Sequence, residues 1–98
     1  MVAKKPKKSR AVVVTTEFRG VFFGYTEDSR GNTIRLTRAR NCIYWHQSIG
    51  GFLGLGRVGP NSQCKIGNRA DIELRKITSV MECTPESIAA WESANVAA

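Results

Sequence analysis

Short runs of β-branched and aromatic residues, whose alternation changes phase partway along, constrain the fold of this chain more than any other feature. In the clearest run, Ile34 and Leu36 alternate with polar residues, as in a half-buried strand. The next apolar residues, Ile43 and Trp45, fall on the opposite phase, so the alternation must break near residues 38–40. A strand that changes phase without ending needs a bulge or tight bend, which is expected to present Arg38 and Arg40 outward together. This pattern favours a small, curved antiparallel sheet.

Other short strands surround this run. They are predicted over residues 11–16, 21–26, 63–66 and 72–81. In the second, Val21, Phe23 and Tyr25 share one face. A polar hairpin over residues 27–32 joins it to the run that contains Ile34. The last strand is expected to change phase near residues 75–76, as the middle one does near 38–40.

A glycine-rich stretch and a helix start complete the element pattern. Residues 48–60 contain five glycines, but no βαβ unit surrounds them and no Gly-Lys-Ser/Thr follows, so a nucleotide-binding loop is not indicated. Ile49, Phe52, Leu53 and Leu55 instead predict a short helical plug at one end of the sheet. The stretch therefore favours packing over phosphate binding.

A second helix is predicted near the C-terminus. Thr84 suits the N-cap, Pro85 the first helical position and Glu86 the first turn. Ile88 and Trp91 then lie at positions i and i+3, which predicts one buried helical face.

These elements predict one mainly β domain. We expect a small, bent antiparallel barrel of the SH3-like or Sm-like kind, with a short helical plug and a C-terminal α-helix. A fragment of a sandwich in a larger oligomer is the alternative. A chain of 98 residues is the size of one domain, and its 42% hydrophobic content permits a packed core.

The N-terminal segment is predicted to be separate from this domain. Residues 1–10 carry Lys4, Lys5, Lys7, Lys8 and Arg10 and no acidic residue. With so little apolar surface we expect a flexible basic arm over residues 1–10, followed by a single domain over residues 11–98. The arm is either a solubility tail or a segment that binds nucleic acid or a protein partner. Its sequence lacks the long apolar stretch of a secretory signal.

Basic residues are concentrated in the middle of the chain. Residues 29–70 contain seven basic residues and no acidic one. A solvated surface normally mixes both signs, so this segregation predicts a cationic face that attracts polyanions. Six of the seven are arginines, whose planar guanidinium suits bidentate contacts to phosphate. The alternative is a plain solvated face.

No arrangement of residues predicts catalysis or a bound cofactor. The three cysteines, Cys42, Cys64 and Cys83, and the single histidine, His46, are scattered over three segments, so a metal site is not expected. The cysteines are interpreted as reduced thiols that pack as small apolar side chains. Four strand residues separate Cys42 from His46 by about 13 Å, which argues against a catalytic dyad. We therefore expect a protein that is not an enzyme.

Three sequence blocks resemble a family of small phage and prophage proteins of unknown function. The first is Gly-Val-Phe-Phe-Gly at residues 20–24, and the second runs from residue 34 to 40 and on to Ile-Tyr-Trp at 43–45. The third joins residues 72–74 to residues 80–86. The resemblance covers residues 18–91 and implies a viral or prophage origin, with the host bacterial cytoplasm or the virion as the location. It implies no catalytic residue.

Charge and aromatic content together predict a binding function. We expect nucleic acid or a phosphorylated nucleotide to bind the central face and the arm, through Arg35, Arg38, Arg40, Arg57, Tyr44, Lys4, Lys5, Lys7 and Lys8. Tyr44 and Trp45 are both available to stack on bases, but neighbours on a strand point to opposite faces, so one is expected to face the core, namely Trp45, in phase with Ile43. The alternative is a virion assembly component, or an inhibitor of an acidic host protein, that works through a viral or host protein partner. No apolar run approaches the length of a membrane span, and homo-oligomerisation would add buried surface to a small core.

Overall fold

The structure, a computed structural model, describes residues 9–17, 20–27 and 31–97. Its strands are β1 (Arg10–Thr16), β2 (Val21–Thr26), β3 (Thr33–Tyr44), β4 (Lys65–Ile66), β5 (Ala70–Arg75) and β6 (Ile77–Glu82). Its helices are α1 (Phe52–Arg57) and α2 (Pro85–Ser93), and a single 3-10 turn spans Gln47–Ile49. The prediction of a mainly β domain with a short helical segment and a C-terminal helix is confirmed. The predicted arm lysines, at positions 4, 5, 7 and 8, lie outside the described residues.

All strand pairs are antiparallel, and the sheet bends back on itself. The hydrogen-bonded order is β4-β3-β2-β1-β6, and β5 pairs with the first half of β3. Only Lys76, with a left-handed backbone (φ 57°), separates β5 from β6. One kinked segment therefore bonds to β3 with its first half and to β1 with its second, which curves the sheet as the sequence predicted.

The middle strand also breaks its alternation where predicted. Arg38 has a positive φ of 50°, and the register against β5 shifts between Leu36 and Ala39. A second irregularity follows, because the register against β4 shifts between Cys42 and Tyr44. Cys42 is buried and Ile43, the next residue, is exposed, so the prediction that Ile43 faces the core is wrong. Trp45 is half-buried against the core, as expected.

Both faces of the sheet are covered. On the face beneath the helices, the core consists of Val13, Val21, Phe23, Cys42, Ile49, Leu55, Ile66 and Trp91. On the opposite face, within the bend, it consists of Val12, Val14, Ile34, Leu36, Ala39 and Leu74. Neighbours on β1 such as Val12 and Val13 thus enter different cores. Little of the sheet remains to face solvent.

The C-terminal helix begins as its sequence indicates. The Thr84 hydroxyl accepts a hydrogen bond from the Ser87 amide at 3.1 Å, and Pro85 follows in the first turn. The buried face is formed by Ser87 and Trp91 rather than by Ile88 and Trp91, because Ile88 is only half-buried. The helix therefore presents an i, i+4 pair to the sheet. Among the described residues, no helix is long and apolar enough to cross a membrane.

Candidate polyanion interface

Folding places acidic residues against the central arginines. Antiparallel pairing of β3 with β5 sets Arg35 opposite Glu73, and Glu73 forms an ion pair with Arg75 at 3.2 Å. The Arg38 amide donates to the Asp71 carboxylate at 3.0 Å. The interpretation that acidic residues avoid the basic half of the chain is therefore wrong for the folded protein. Basic and acidic residues that are far apart along the sequence are therefore brought side by side by strand pairing.

A third carboxylate, that of Glu92 in α2, lies among the side chains of Tyr25, Arg38 and Arg69. Arg69 donates to Glu92 Oε1 at 3.1 Å, and Arg38 lies 3.7 Å from Oε2. The Tyr25 hydroxyl donates to the same Oε2. The Arg38 guanidinium carbon also lies 4.3 Å from the centre of the Tyr25 ring. We call Tyr25, Arg38, Arg69 and Glu92 the Glu92 cluster, and its arginines are already partly neutralised.

The Glu92 cluster shifts two pKa values. Burial raises the pKa of Tyr25 to about 12, and the hydrogen bond to Glu92 and the charge of that carboxylate add to the effect. Burial also acts to raise the pKa of Glu92. Hydrogen bonds from Tyr25 and Arg69 and the charges of Arg38 and Arg69 outweigh it, so that pKa is lowered.

The two shifts give a testable dependence of stability on pH. Glu92 stabilises the fold above its ordinary pKa of 4.5, and this contribution is lost as the pH falls through the lower pKa of the folded state. The contribution of Tyr25 is lost as the pH rises from 10 towards 12. We expect Glu92→Gln to lose less stability than the wild type on acidification, and Tyr25 in that variant to ionise at lower pH. Denaturation at several pH values measures the loss of stability, and phenolate absorbance measures the ionisation of Tyr25. If the wild type and Glu92→Gln lost the same stability on acidification, this assignment would be contradicted.

Arg40 is fully buried, with 0% of its surface exposed. Its Nε donates to the Gly67 carbonyl at 2.8 Å, and its Nη1 donates to the carbonyls of Trp91 at 2.7 Å and Ala94 at 2.9 Å. The last carbonyls of a helix have no partner within it, so Arg40 caps the C-terminal end of α2 from the sheet. Burial, and then the charge of Arg69, lower the pKa of Arg40, while Glu92 acts to raise it.

The prediction that Arg38 and Arg40 point outward together is therefore wrong for Arg40. That prediction treated one face of β3 as open to solvent. In the structure Ala39 faces one core and Arg40 faces α2, because both sides of the sheet are covered. The overlooked signal is that Arg40 shares its phase with the buried Cys42. Arg40 has a structural position and is removed from the candidate interface.

One acid-free region remains after these pairings. We call residues 43–65 the cap. It leaves the sheet at the end of β3 and returns at β4, where Tyr44 pairs with Lys65. Its cations are Arg57 and Lys65, both exposed, and neither forms an ion pair with another described residue. The cap thus carries cations of the basic segment that no acidic residue of the same segment accompanies, whereas Arg35 and Arg38 lie beside carboxylates of β5 and α2.

The cap also exposes large apolar side chains. Those exposed on it are Ile43, Tyr44, Phe52, Leu53 and Val58, and among the described residues just one other, Val96, is comparably exposed. Tyr44 was predicted as a binding residue and is exposed. Phe52 and Lys65 were not predicted as binding residues, although each lies in the acid-free segment. Phe52 and Leu53 were predicted to plug the sheet, which is wrong, since both face solvent.

The inner side of the cap is tightly packed. Ile49 and Leu55 are buried in the core, so the predicted plug is confirmed for these two residues. A Cβ on Gly54 would lie 1.7 Å from the Ile49 carbonyl oxygen, and one on Gly56 would lie 2.5 Å from the Met81 sulfur. These glycines let α1 sit directly on its neighbours. The outer residues of α1 are therefore held on a rigid support.

Hydrogen bonds fix the remainder of the cap. The Ser48 amide donates to His46 Nδ1 at 3.1 Å, and the Asn61 side-chain amide donates to the Ser48 hydroxyl at 3.0 Å. His46 thus caps the 3-10 turn locally. These bonds join the start of the cap to the loop that follows α1.

The start of the domain lies beside the cap. The Cys83 amide donates to the Ala11 carbonyl at 3.0 Å, and the next amide, of Thr84, donates to Gly56 at 3.1 Å. The Thr84 hydroxyl donates to the Arg57 carbonyl at 2.5 Å. Residues 1–8, with four lysines, are therefore joined to the domain close to the last turn of α1.

The described part of the chain carries little of the net charge. It contains nine basic and seven acidic residues, whereas the whole chain has a net charge of +7. Most of the excess is in residues 1–8.

A cavity of about 330 Å³ lies between the loop after α1 and the end of α2. It is lined by Pro60, Asn61, Ser62, Cys64, Ala90, Ser93, Ala94 and Asn95, none of which is charged. A bound phosphate would meet no cation in this lining. The cavity therefore does not favour a phosphorylated mononucleotide, which was one of the predicted ligands.

Residues 9–91 match the model of one protein family, the domain of unknown function DUF6948. The chain belongs to this family. The match runs from the start of β1 to Trp91 and so includes the whole sheet, the cap and most of α2 of this DUF6948 protein. The residues with four lysines, 1–8, precede it. No curated protein and no solved structure matches the chain significantly.

The family assignment agrees with the predicted resemblance to proteins of unknown function. That resemblance was placed at residues 18–91, and the match extends it to residue 9. The family description names neither a source nor a ligand. The phage or prophage origin therefore stays a prediction.

Proposed function

We propose that this DUF6948 protein is a non-enzymatic binding protein whose ligand is nucleic acid, held by the cap and by the lysines of residues 1–8. The observation that carries the proposal is the cap itself. It is free of acidic residues, its cations Arg57 and Lys65 have no ion-pair partner among the described residues, and it exposes Tyr44 and Phe52. Cations contact the phosphates of a nucleic acid and exposed aromatic rings stack on its bases, so the cap offers both kinds of contact.

The electrostatic part of this binding follows from counterion release. Each lysine or arginine that neutralises a phosphate frees a condensed cation, so affinity falls steeply with salt. The four lysines of residues 1–8 are joined to the domain near Arg57, so both groups can act on one strand. Arg35 and Arg38 are exposed but lie next to carboxylates and contribute less in this proposal.

The resemblance to small phage and prophage proteins supports a setting for this activity. We propose that the protein is virus-encoded and acts in the cytoplasm of the bacterial host or in the virion. Nucleic acid is present in both places.

A second candidate function is a protein contact in virion assembly, in a homo-oligomer or in inhibition of a host protein. The specific observation in its favour is that Ile43 and Leu53 are each 58% exposed on the cap. Aliphatic side chains at this exposure are typical of a surface that another protein covers. An acidic partner would complement Arg57 and Lys65.

Deleting residues 1–8 tests the electrostatic proposal. The deletion removes four lysines and no described contact of the sheet, so we expect the midpoint of thermal unfolding to stay within a few degrees. We expect affinity for a nucleic-acid oligonucleotide to fall, and the slope of log affinity against log salt to become shallower by up to about 3–4. Fluorescence anisotropy over a range of salt concentrations measures both quantities. An unchanged slope would mean that these lysines do not contact phosphate.

A further inference from the structure

We propose that the cap stacks unpaired bases, so that the ligand of this protein is single-stranded nucleic acid. This inference rests on the proposed function and names its substrate class. It is carried by the backbone irregularity that exposes Tyr44, by the neighbours of Tyr44 and Phe52, and by the rigid packing beneath α1.

The exposure of Tyr44 is produced by the backbone. Along a regular strand, Tyr44 would face the same way as Cys42, which is buried. The register against β4 instead shifts between these two residues, and Tyr44 is 48% exposed. The bulge thus turns a large aromatic side chain away from the core. Bulges are common where a functional side chain is redirected in this way.

One exposed ring of the cap has a cation beside it, and the other shares its helix with a cation. Tyr44 pairs with Lys65 across β3 and β4, and such partners lie on one face of a sheet with Cβ atoms about 5 Å apart. Phe52 opens α1 and Arg57 closes it, about 8 Å apart along the axis but roughly 140° apart around it, so the adjacent ring and cation are Tyr44 and Lys65. A ring with a cation at this range can stack on a base while the cation contacts the phosphate.

The other aromatic side chains show that exposure of these two is selective. Phe23 and Trp91 are fully buried and stack on each other, with ring centres 5.0 Å apart. Tyr25 packs against Phe23 and is held in the Glu92 cluster. Tyr44 is 48% and Phe52 is 38% exposed, so each ring forfeits part of the about 1.5–3 kcal/mol of full burial, and two such rings in one acid-free segment favour a ligand that covers them.

The rings favour a single strand over a duplex. Bases in a duplex are stacked on each other, so their faces are closed to a protein side chain unless they are unstacked. A duplex also offers the denser phosphate charge, which suits a strongly basic surface, but the described domain is nearly neutral. Its binding surface is instead aromatic and moderately cationic, which is the usual combination in proteins that bind single strands.

The experiment compares the full-length protein on four labelled or competing polyanions: a 20-mer of deoxythymidine, a 20-mer of uridine, a 20-bp duplex and heparin. We expect both single strands to bind more tightly than the duplex. Tyr44→Ala and Phe52→Ala should each weaken single-strand binding roughly 5- to 150-fold, since stacking on one ring contributes that much. Heparin has no bases, so its affinity should be unchanged in both variants.

Two control variants sharpen this comparison. Tyr44→Phe keeps the ring and should retain single-strand affinity, whereas Ile43→Ala removes the adjacent exposed side chain, has no ring to lose and should bind normally. Chemical denaturation of each variant shows that it is folded, and sedimentation shows its oligomeric state.

The results distinguish failure of the single-strand inference from failure of the proposed nucleic-acid binding. If heparin and the duplex bind as tightly as the single strands and both alanine variants are silent, the single-strand inference is wrong and polyanion binding stands. If no polyanion binds at low salt, both proposals fail. If the variants lose self-association while their single-strand affinity is unchanged, the rings belong to a protein interface, which also overturns the inference.

Discussion

Arg40→Met should destabilise the domain by about 3–5 kcal/mol, although the residue comes from the most basic part of the sequence. The substitution keeps most of the side-chain volume but removes three hydrogen bonds to the carbonyls of Gly67, Trp91 and Ala94. The Gly67 and Ala94 carbonyls would then lose this donor at part-buried positions, the Trp91 carbonyl would keep only the long 3.4 Å bond from the Ala94 amide, and the C-terminal end of α2 would lose its positive cap. Urea denaturation of the variant and the wild type measures the change.

Arg40→Lys is the matched control for this prediction. Lysine keeps the positive charge, but its single ammonium group cannot reach the carbonyls on both sides that the planar guanidinium reaches. We therefore expect Arg40→Lys to be less stable than the wild type and more stable than Arg40→Met. Arg35→Met, at an exposed position on the same strand, should cost less than about 0.5 kcal/mol. Equal stability of Arg40→Met and Arg35→Met would show that Arg40 is not a structural residue.

Trp91→Ala should have an effect of similar size for a different reason. The indole is fully buried, stacks on Phe23 with planes 8° apart, and donates from Nε1 to the Leu55 carbonyl at 3.1 Å. Removing it leaves a large cavity between α2, the sheet and α1. We expect a loss of about 3–5 kcal/mol in the free energy of unfolding, a large part of the stability of a small domain.

Thr84→Ala in the same helix gives the comparison. It removes the N-cap hydrogen bond to the Ser87 amide, and also the bond that Thr84 donates to Arg57, so we expect a loss of about 1–2 kcal/mol. The order of the two effects is the test, by denaturation under identical conditions. A Trp91→Ala variant as stable as the wild type would show that α2 does not close the core.

Local signals in the sequence predicted the elements well. The Thr84, Pro85 and Glu86 start of α2 depends on a few adjacent residues, and so does the bulge near Arg38, where the apolar phase changes. Strand bounds also depend mainly on nearby residues. Such features can be read from sequence because the interactions that produce them span only one turn or one strand.

The chemistry of the surface could not be predicted in the same way. Arg40 is buried against Trp91 of α2, 51 residues further along the chain, and Arg35 faces a carboxylate because the β3–β5 register sets it opposite Glu73. Neither the register nor the position of α2 follows from composition. Counting charges along the sequence therefore placed the interface on β3. Long-range pairing removes it from there and leaves the cap, whose acid-free sequence was the usable signal.

The central claim is that binding charge resides on the cap and not on the β3–β5 surface. Two double variants remove equal charge from the two places: Arg57→Ala with Lys65→Ala on the cap, and Arg35→Ala with Arg75→Ala beside Glu73. All four side chains are exposed, so both proteins should fold normally.

The decisive measurement is the affinity of these two variants for one single-stranded 20-mer at low salt, by fluorescence anisotropy. We predict that the cap variant binds at least about 10-fold more weakly than the wild type, since each lost phosphate contact removes a released counterion. The β3–β5 variant should remain within about 3-fold of the wild type, because the Glu73 carboxylate lies beside both of its arginines and repels phosphate there. Equal weakening of the two, or a larger loss in the β3–β5 variant, would contradict the account.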